Sequence, residues 1–114
     1  MRLDRLIGDL DVIELRGDAA ATEISSVTHD SRAVVPGALF CCVPGDHVDG
    51  HDFAAGAVRD GATALLVERL LPLEAVQVRV ASTRRSMGPA AAAFWDHPSR
   101  AIPVLRKAPP DAPK

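Results

Sequence analysis

ALFCCVPGDHVDGHDFAAGAVRDGATALLV, residues 38–67, is the stretch whose reading decides the fold. Residues 38–43 form an unbroken apolar run, short enough for a strand and suited to burial on both faces of a sheet. A polar loop follows over residues 44–50, with Gly45 and Gly50 at its two ends. Residues 51–60 read as a helix that turns Phe53, Ala54, Ala57 and Val58 inward, with Gly61 in the position that closes helices by a left-handed residue. Residues 62–67 are a second buried strand. Strand, helix and strand in that order predict a parallel pair joined by a crossover, the unit of an α/β fold.

Working outward, residues 2–10 place Leu3, Leu6, Ile7 and Leu10 on one stripe, which predicts a short amphipathic helix. Residues 11–18 read as a strand or an extended link. Residues 23–30 alternate through Ile24 and Val27 and predict a strand ending near His29. Pro36-Gly37 marks a turn. Residues 76–80 alternate as a shorter strand. Ser82 is a good cap for a helix reaching Trp95, and Pro89 inside that span removes a backbone donor and predicts a kink. His97-Pro98-Ser99 should stop this helix, and residues 101–105 read as a last strand. Residues 106–114 hold three prolines among charged side chains and are expected to be a disordered, Pro-rich tail. The expected class is α/β, a mixed and mostly parallel sheet flanked by helices, in one domain over residues 1–105.

Bulk properties agree. A chain of 114 residues fits a single domain, and 47% hydrophobic with 25% charged residues is ordinary for a soluble globular protein. Basic residues number 13 against 15 acidic, a net charge of −2, so the basic stripe that nucleic acid or an anionic membrane needs is missing. The apolar runs at 62–67 and 89–95 are far short of the roughly 20 residues that span a bilayer. Asp4, Asp9 and Asp11 interrupt the N-terminus, so it carries no signal-peptide core. A cytoplasmic location is expected. The only cysteines, Cys41 and Cys42, are neighbours that point to opposite faces of a strand, and read as small, half-buried hydrophobes rather than a disulfide.

Chemistry-bearing patterns are sparse. Neither G-x-x-x-x-G-K-[ST] nor G-x-G-x-x-G occurs, and C-x-x-C, H-E-x-x-H and G-x-S-x-G are also missing. Two polar clusters remain. Thr28-His29-Asp30-Ser31-Arg32 holds the residue types of a hydrolase triad, but on an extended chain Asp30 points away from His29 and Ser31. A serine and an arginine at a strand end suit binding of an anion or a hydroxyl, or else a surface turn with a solvated ion pair. Asp46-His47-Val48-Asp49-Gly50-His51-Asp52 could hold a divalent metal through His47, Asp49 and His51. Helix capping by Asp49 or Asp52 explains the same acids without one.

The order of these pieces carries a resemblance. Ser26-Val27-Thr28-His29-Asp30-Ser31-Arg32 precedes Val35-Pro36-Gly37-Ala38-Leu39-Phe40, then Pro44-Gly45, Asp49-Gly50-His51-Asp52-Phe53, and Gly61-Ala62-Thr63-Ala64. This succession resembles the N-terminal domain of the Mur ligases, ATP-dependent enzymes that build the peptidoglycan stem peptide. It extends over roughly residues 20–105. Arg84-Arg85-Ser86-Met87, with Ala92-Ala93-Phe94-Trp95-Asp96-His97-Pro98-Ser99-Arg100, is more similar to the branch adding the third residue than to the one adding D-alanyl-D-alanine.

The resemblance implies a domain that anchors the UDP end of UDP-N-acetylmuramoyl-L-alanyl-D-glutamate. His29 and Ser31 would line the UDP site, Arg32 would meet pyrophosphate or pair with a nearby acid, and Gly45, Asp46, His47 and Val48 would form a second contact loop. The family continues from its last strand into a GTNGKT phosphate loop, whereas here the sequence reads Arg106-Lys107-Ala108-Pro109-Pro110. ATP and magnesium belong to the family's central domain, so this chain is expected to bind no cofactor, to hold no metal and not to catalyse ligation alone. The expected partners are that substrate or UDP, without nucleic acid or membrane. Two other readings stand beside it. One is an interaction module that docks on a Mur-type ATPase domain of another chain through an apolar face near Phe94, Trp95 and Leu105. The other is a small metal-dependent enzyme.

Overall fold

The computed structural model describes residues 1–45 and 47–95. Strand β3 (Ala38–Cys41) and strand β4 (Ala64–Val67) are buried at every position, as their uninterrupted apolar runs require. They pair in parallel, Leu39 opposite Ala64 and Cys41 opposite Leu66. Strand β2 (Ser26–Thr28) joins β3 in parallel on one side, and strand β5 (Val76–Val80) joins β4 in parallel on the other. Strand β1 (Val12–Arg16) pairs antiparallel with β5 at the outer edge, with an irregularity between Val12 and Glu14. The order is β1-β5-β4-β3-β2, a five-stranded sheet among the described residues, mixed and mostly parallel as expected.

Alternation splits the two central strands between two cores. Leu39, Cys41, Ala64 and Leu66 face one side, where they meet Leu3, Leu6, Ile7, Ala90 and Phe94. Phe40, Cys42, Leu65 and Val67 face the other and meet Ala54 and Ala57. The first layer is built by helix α1 (Leu3–Leu6) and helix α3 (Thr83–Trp95); the second by helix α2 (Ala54–Arg59). Cys41 and Cys42 thus belong to different cores and stay free, and burial pushes both thiols up to about 12.

Three local expectations are adjusted, and the strand expected over residues 23–30 is confined to Ser26–Thr28. Helix α1 is a single turn rather than a span to residue 10, because Gly8 follows at once and β1 begins at Val12. Its apolar stripe is nonetheless buried, with Leu3 and Leu6 wholly inaccessible. The segment opening at His51 starts as a 3₁₀ turn, Gly50–Phe53, before α2 begins. Phe53, expected inward, is 45% exposed. A helical stripe centred on Ala54 and Ala57 leaves Phe53 at its flank, and His51 takes the inward place. Gly61 does close α2, at φ 121°, and a Cβ there would stand 2.8 Å from the Pro36 Cα.

Ser82 caps α3 as expected, its hydroxyl accepting the Arg85 N–H at 3.2 Å. The helix runs through Pro89 and buries Thr83, Ala90 and Phe94. Phe94 meets Trp95 edge-on at 4.8 Å, and of the two only Trp95 is exposed. Leu105, the expected strand at 101–105, the helix stop at His97 and the tail at 106–114 lie outside the described residues. Among those described, no helix is long and apolar enough to cross a membrane.

Candidate functional site

Four parallel strands end on one edge of the sheet, the usual place for a ligand in an open α/β fold. The register of β2 against β3, Thr28 opposite Phe40, brings the segment after Thr28 beside the segment after Cys41. The two clusters singled out in the sequence therefore leave the sheet side by side.

Past β2 the chain folds on itself. The Thr28 hydroxyl accepts the Asp30 N–H at 3.0 Å, and Ser31–Ala33 form a 3₁₀ turn capped by the Asp30 carboxylate, which accepts the Arg32 N–H at 2.9 Å. The same carboxylate clasps the Arg32 guanidinium through two contacts of 3.1 Å. Of the two roles left open for Arg32, the structure contains the ion pair. That clasp holds the Asp30 carboxyl below its ordinary range, the Arg32 side chain being the largest cause. His29 is exposed and Ser31 half-buried, and no hydrogen bond joins them to Asp30 as a triad would need.

Past β3 the described residues on either side of position 46 come close together. Pro44 and Asp49 pair as an isolated bridge, Gly45 N–H donates to the Val48 carbonyl at 2.9 Å, and Gly50 N–H to the Val43 carbonyl at 3.0 Å. A Cβ on Gly45 would lie 2.7 Å from the Val48 oxygen, and one on Gly50 2.6 Å from the Val43 nitrogen. Glycine is required at both ends of the loop by close approach. Gly45, His47 and Val48 are exposed at its tip; Asp46 lies outside the described residues.

The capping residue Asp49 belongs to a wider network, which the sequence did not announce beyond the cap itself. Asp49 Oδ1 accepts the His51 backbone N–H at 2.9 Å and lies 2.6 Å from His51 Nδ1; its Oδ2 accepts from Arg69 at 3.0 Å. These donors, the His51 backbone first, hold the Asp49 carboxyl at about 2. His51 is buried, and its Nε2 accepts the Glu68 N–H at 3.0 Å. The Glu68 side chain then accepts the Thr83 N–H at 2.9 Å, so the first turn of α3 already meets a carboxylate. Thr83 Oγ1 reaches the Cys42 carbonyl at 2.9 Å and Glu68 at 3.0 Å. Arg84 donates to the Pro44 carbonyl at 2.6 Å. The ends of β3 and β4 and the start of α3 are thereby laced together.

This arrangement does not suit a metal. Both His51 ring nitrogens are engaged, and among the described residues no three His, Cys, Asp or Glu side chains gather around a common point. A cleft of about 360 Å³ lies between the end of β2 and α3, lined by Val27, Thr28, His29, Met87, Gly88 and Ala91. Of the described residues expected at the site, His29 alone lines it; the others stand along the same edge.

A sequence profile titled Mur ligase family, catalytic domain, matches residues 23–105. The chain belongs to the Mur ligase family. The UDP-N-acetylmuramoyl-L-alanyl-D-glutamate–2,6-diaminopimelate ligase of Listeria monocytogenes is 38% identical over 92% of this chain and 21% of its own length. The enzyme of the same title from Syntrophomonas wolfei is 40% identical over 92% of this chain and 22% of its own. UDP-N-acetylmuramyl-tripeptide synthetase 2 of Oceanobacillus iheyensis is 37% identical over 91% of this chain. This Mur ligase chain spans about a fifth of the length of these relatives. Among solved structures, MurF from Acinetobacter baumannii superposes with a TM-score of 0.69 at 30% identity, covering 76% of this chain and 19% of its own. The mixed sheet flanked by helices is therefore the architecture of a Mur ligase domain.

Proposed function

We propose that this chain is the UDP-anchoring domain of a Mur ligase of the third-residue-adding branch. It holds the uridine diphosphate end of UDP-N-acetylmuramoyl-L-alanyl-D-glutamate, for stem-peptide synthesis in the cytoplasm. The observation that carries the reading is the β2–β3 register, which sets the His29–Arg32 turn beside the Gly45–Val48 loop at the carboxyl edge of the sheet. Relatives titled for that substrate, at 38% and 40% identity, support the branch, against 30% for the MurF structure.

Each residue has a chemically suited task. The Ser31 hydroxyl donates to a phosphate or ribose oxygen, and the backbone of Gly45, His47 and Val48 brackets the uracil edge. His29 lines the cleft beside α3. Arg32 meets pyrophosphate as a partner already shared with Asp30, which lowers its share of the attraction. No G-x-x-x-x-G-K-[ST] loop occurs in the sequence, so the reading gives these residues no phosphoryl transfer.

The test is an isotope-edited NMR titration with UDP-N-acetylmuramoyl-L-alanyl-D-glutamate, UDP and ATP. Saturable shifts at Ser31 and Gly45–Val48 are expected for the first two and none for ATP. Affinity for UDP should be on the order of millimolar, roughly 4 kcal/mol, and Ser31→Ala should weaken it. Shifts confined to other residues would remove the site assignment.

A further inference from the structure

His51 is the one buried histidine among the described residues, and its bonding fixes its proton. A backbone N–H can only donate, so the Glu68 amide at 3.0 Å requires a lone pair on Nε2. The ring proton therefore sits on Nδ1, 2.6 Å from Asp49 Oδ1. The imidazole bridges a loop residue on one side to the end of β4 on the other. Among the described residues the charged or titratable groups at this bridge are Asp49, Arg69 on its far oxygen, Glu68 turned toward Thr83, Arg79 of β5 on the Glu68 carbonyl, and the Cys42 thiol past the end of β3.

A second proton would go on Nε2 and face the Glu68 N–H, donor against donor. Asp49 is where the chain returns, through its bridge to Pro44. Losing the Glu68 contact removes the buried tie between that return and the end of β4 and leaves the Arg69 ion pair, 56% exposed on the arginine side, as the other side-chain tie.

We propose that His51 is the positioning residue of this edge: its neutral Nδ1–H form holds the return of the chain at Asp49 against the end of β4, and its protonation loosens that return and weakens ligand binding at the edge. The inference rests on the UDP-anchoring reading for its ligand but not for its geometry.

The test uses the 114-residue chain, with UDP as the probe, at about pH 7.5 and about pH 5.5, the range in which histidine charge changes. Loss of one such hydrogen bond predicts roughly five- to tenfold weaker UDP binding in His51→Phe at both values, with faster exchange of the Glu68 amide. His51→Gln keeps a carbonyl acceptor that cannot be protonated, so it should stay close to the parent near neutrality and lose part of the weakening in acid. Every group other than residue 51, the ligand's own phosphate included, is common to parent and Gln variant, so the difference between them isolates His51. Equal acid weakening in both, or a folded His51→Phe that binds UDP as the parent does, overturns the proposal. If UDP fails to bind the parent, the UDP reading falls, and long-range nitrogen correlations of the ring judge the bridge alone. A proton on Nδ1 with a slowly exchanging Glu68 amide upholds it, and a proton on Nε2 ends it.

Discussion

Replacing Thr83 by valine exchanges a hydroxyl for a methyl and leaves the outline of the side chain nearly unchanged. Thr83 is fully buried, and its single hydroxyl proton is shared between the Cys42 carbonyl at 2.9 Å and the Glu68 carboxylate at 3.0 Å. Valine removes that donor, strands the Cys42 carbonyl and sets a methyl against a carboxylate. A buried polar group deprived of its partner costs about 1–3 kcal/mol, so a loss of about 2 kcal/mol is expected. For a domain of this size that is a fall in Tm of about 8–16 °C. Thr83→Ser keeps the hydroxyl and loses a methyl, for about 1 kcal/mol. Urea unfolding of the three proteins, followed by circular dichroism, measures both differences. A valine variant within about 0.5 kcal/mol of the parent, or a serine variant less stable than the valine one, would refute the reasoning. The second result would place the stabilisation in the methyl.

Asp49 supplies an acid-dependent prediction. Its carboxyl is held at about 2 against 3.8 ordinarily, so its contribution is complete above the ordinary value and disappears as pH falls toward about 2. The destabilisation caused by Asp49→Asn should be largest near neutrality and shrink between those two values, as urea midpoints at several pH values would reveal; a gap that widens in acid contradicts it. Cys41 and Cys42, buried and pushed up to about 12, should react with a thiol reagent only as fast as the chain opens. Prompt stoichiometric labelling in native buffer would show that one of them is accessible.

The central crossover was legible because its signals are local: two apolar runs, a glycine at each loop end and one behind the helix. Edge strand β1 was harder. Its larger apolar side chains, Ile13 and Leu15, are 53% and 43% exposed, so alternation there marks the outer face and not the core. Helix α1 has the expected stripe but only one turn, since a stripe specifies burial and not length. At the site, the strand-end turn and the glycine-closed loop could be placed from sequence, and so could the cap at Asp49. The lacing could not. Thr83 and Cys42 are 41 residues apart, Arg84 and Pro44 40 apart, and no periodicity announces such contacts. His51 illustrates the ambiguity: beside Asp49 it reads equally as a metal ligand or a capping neighbour, and only the Glu68 amide decides. Gln77, fully buried, is similar, tying down residues 71 and 73 through three hydrogen bonds.

The inward face of α2 has one further consequence. It presents Ala54 and Ala57 to Phe40, Leu65 and Val67, so the smallest side chains in that core act as a spacer between helix and sheet. The gap between packed elements follows the size of the side chains in it. Enlarging either alanine would lift the helix, and the turn that carries His51 is continuous with its first residue. The height of His51 and its Asp49 partner above the sheet edge is thus gauged from below, by two methyl groups buried against the strands.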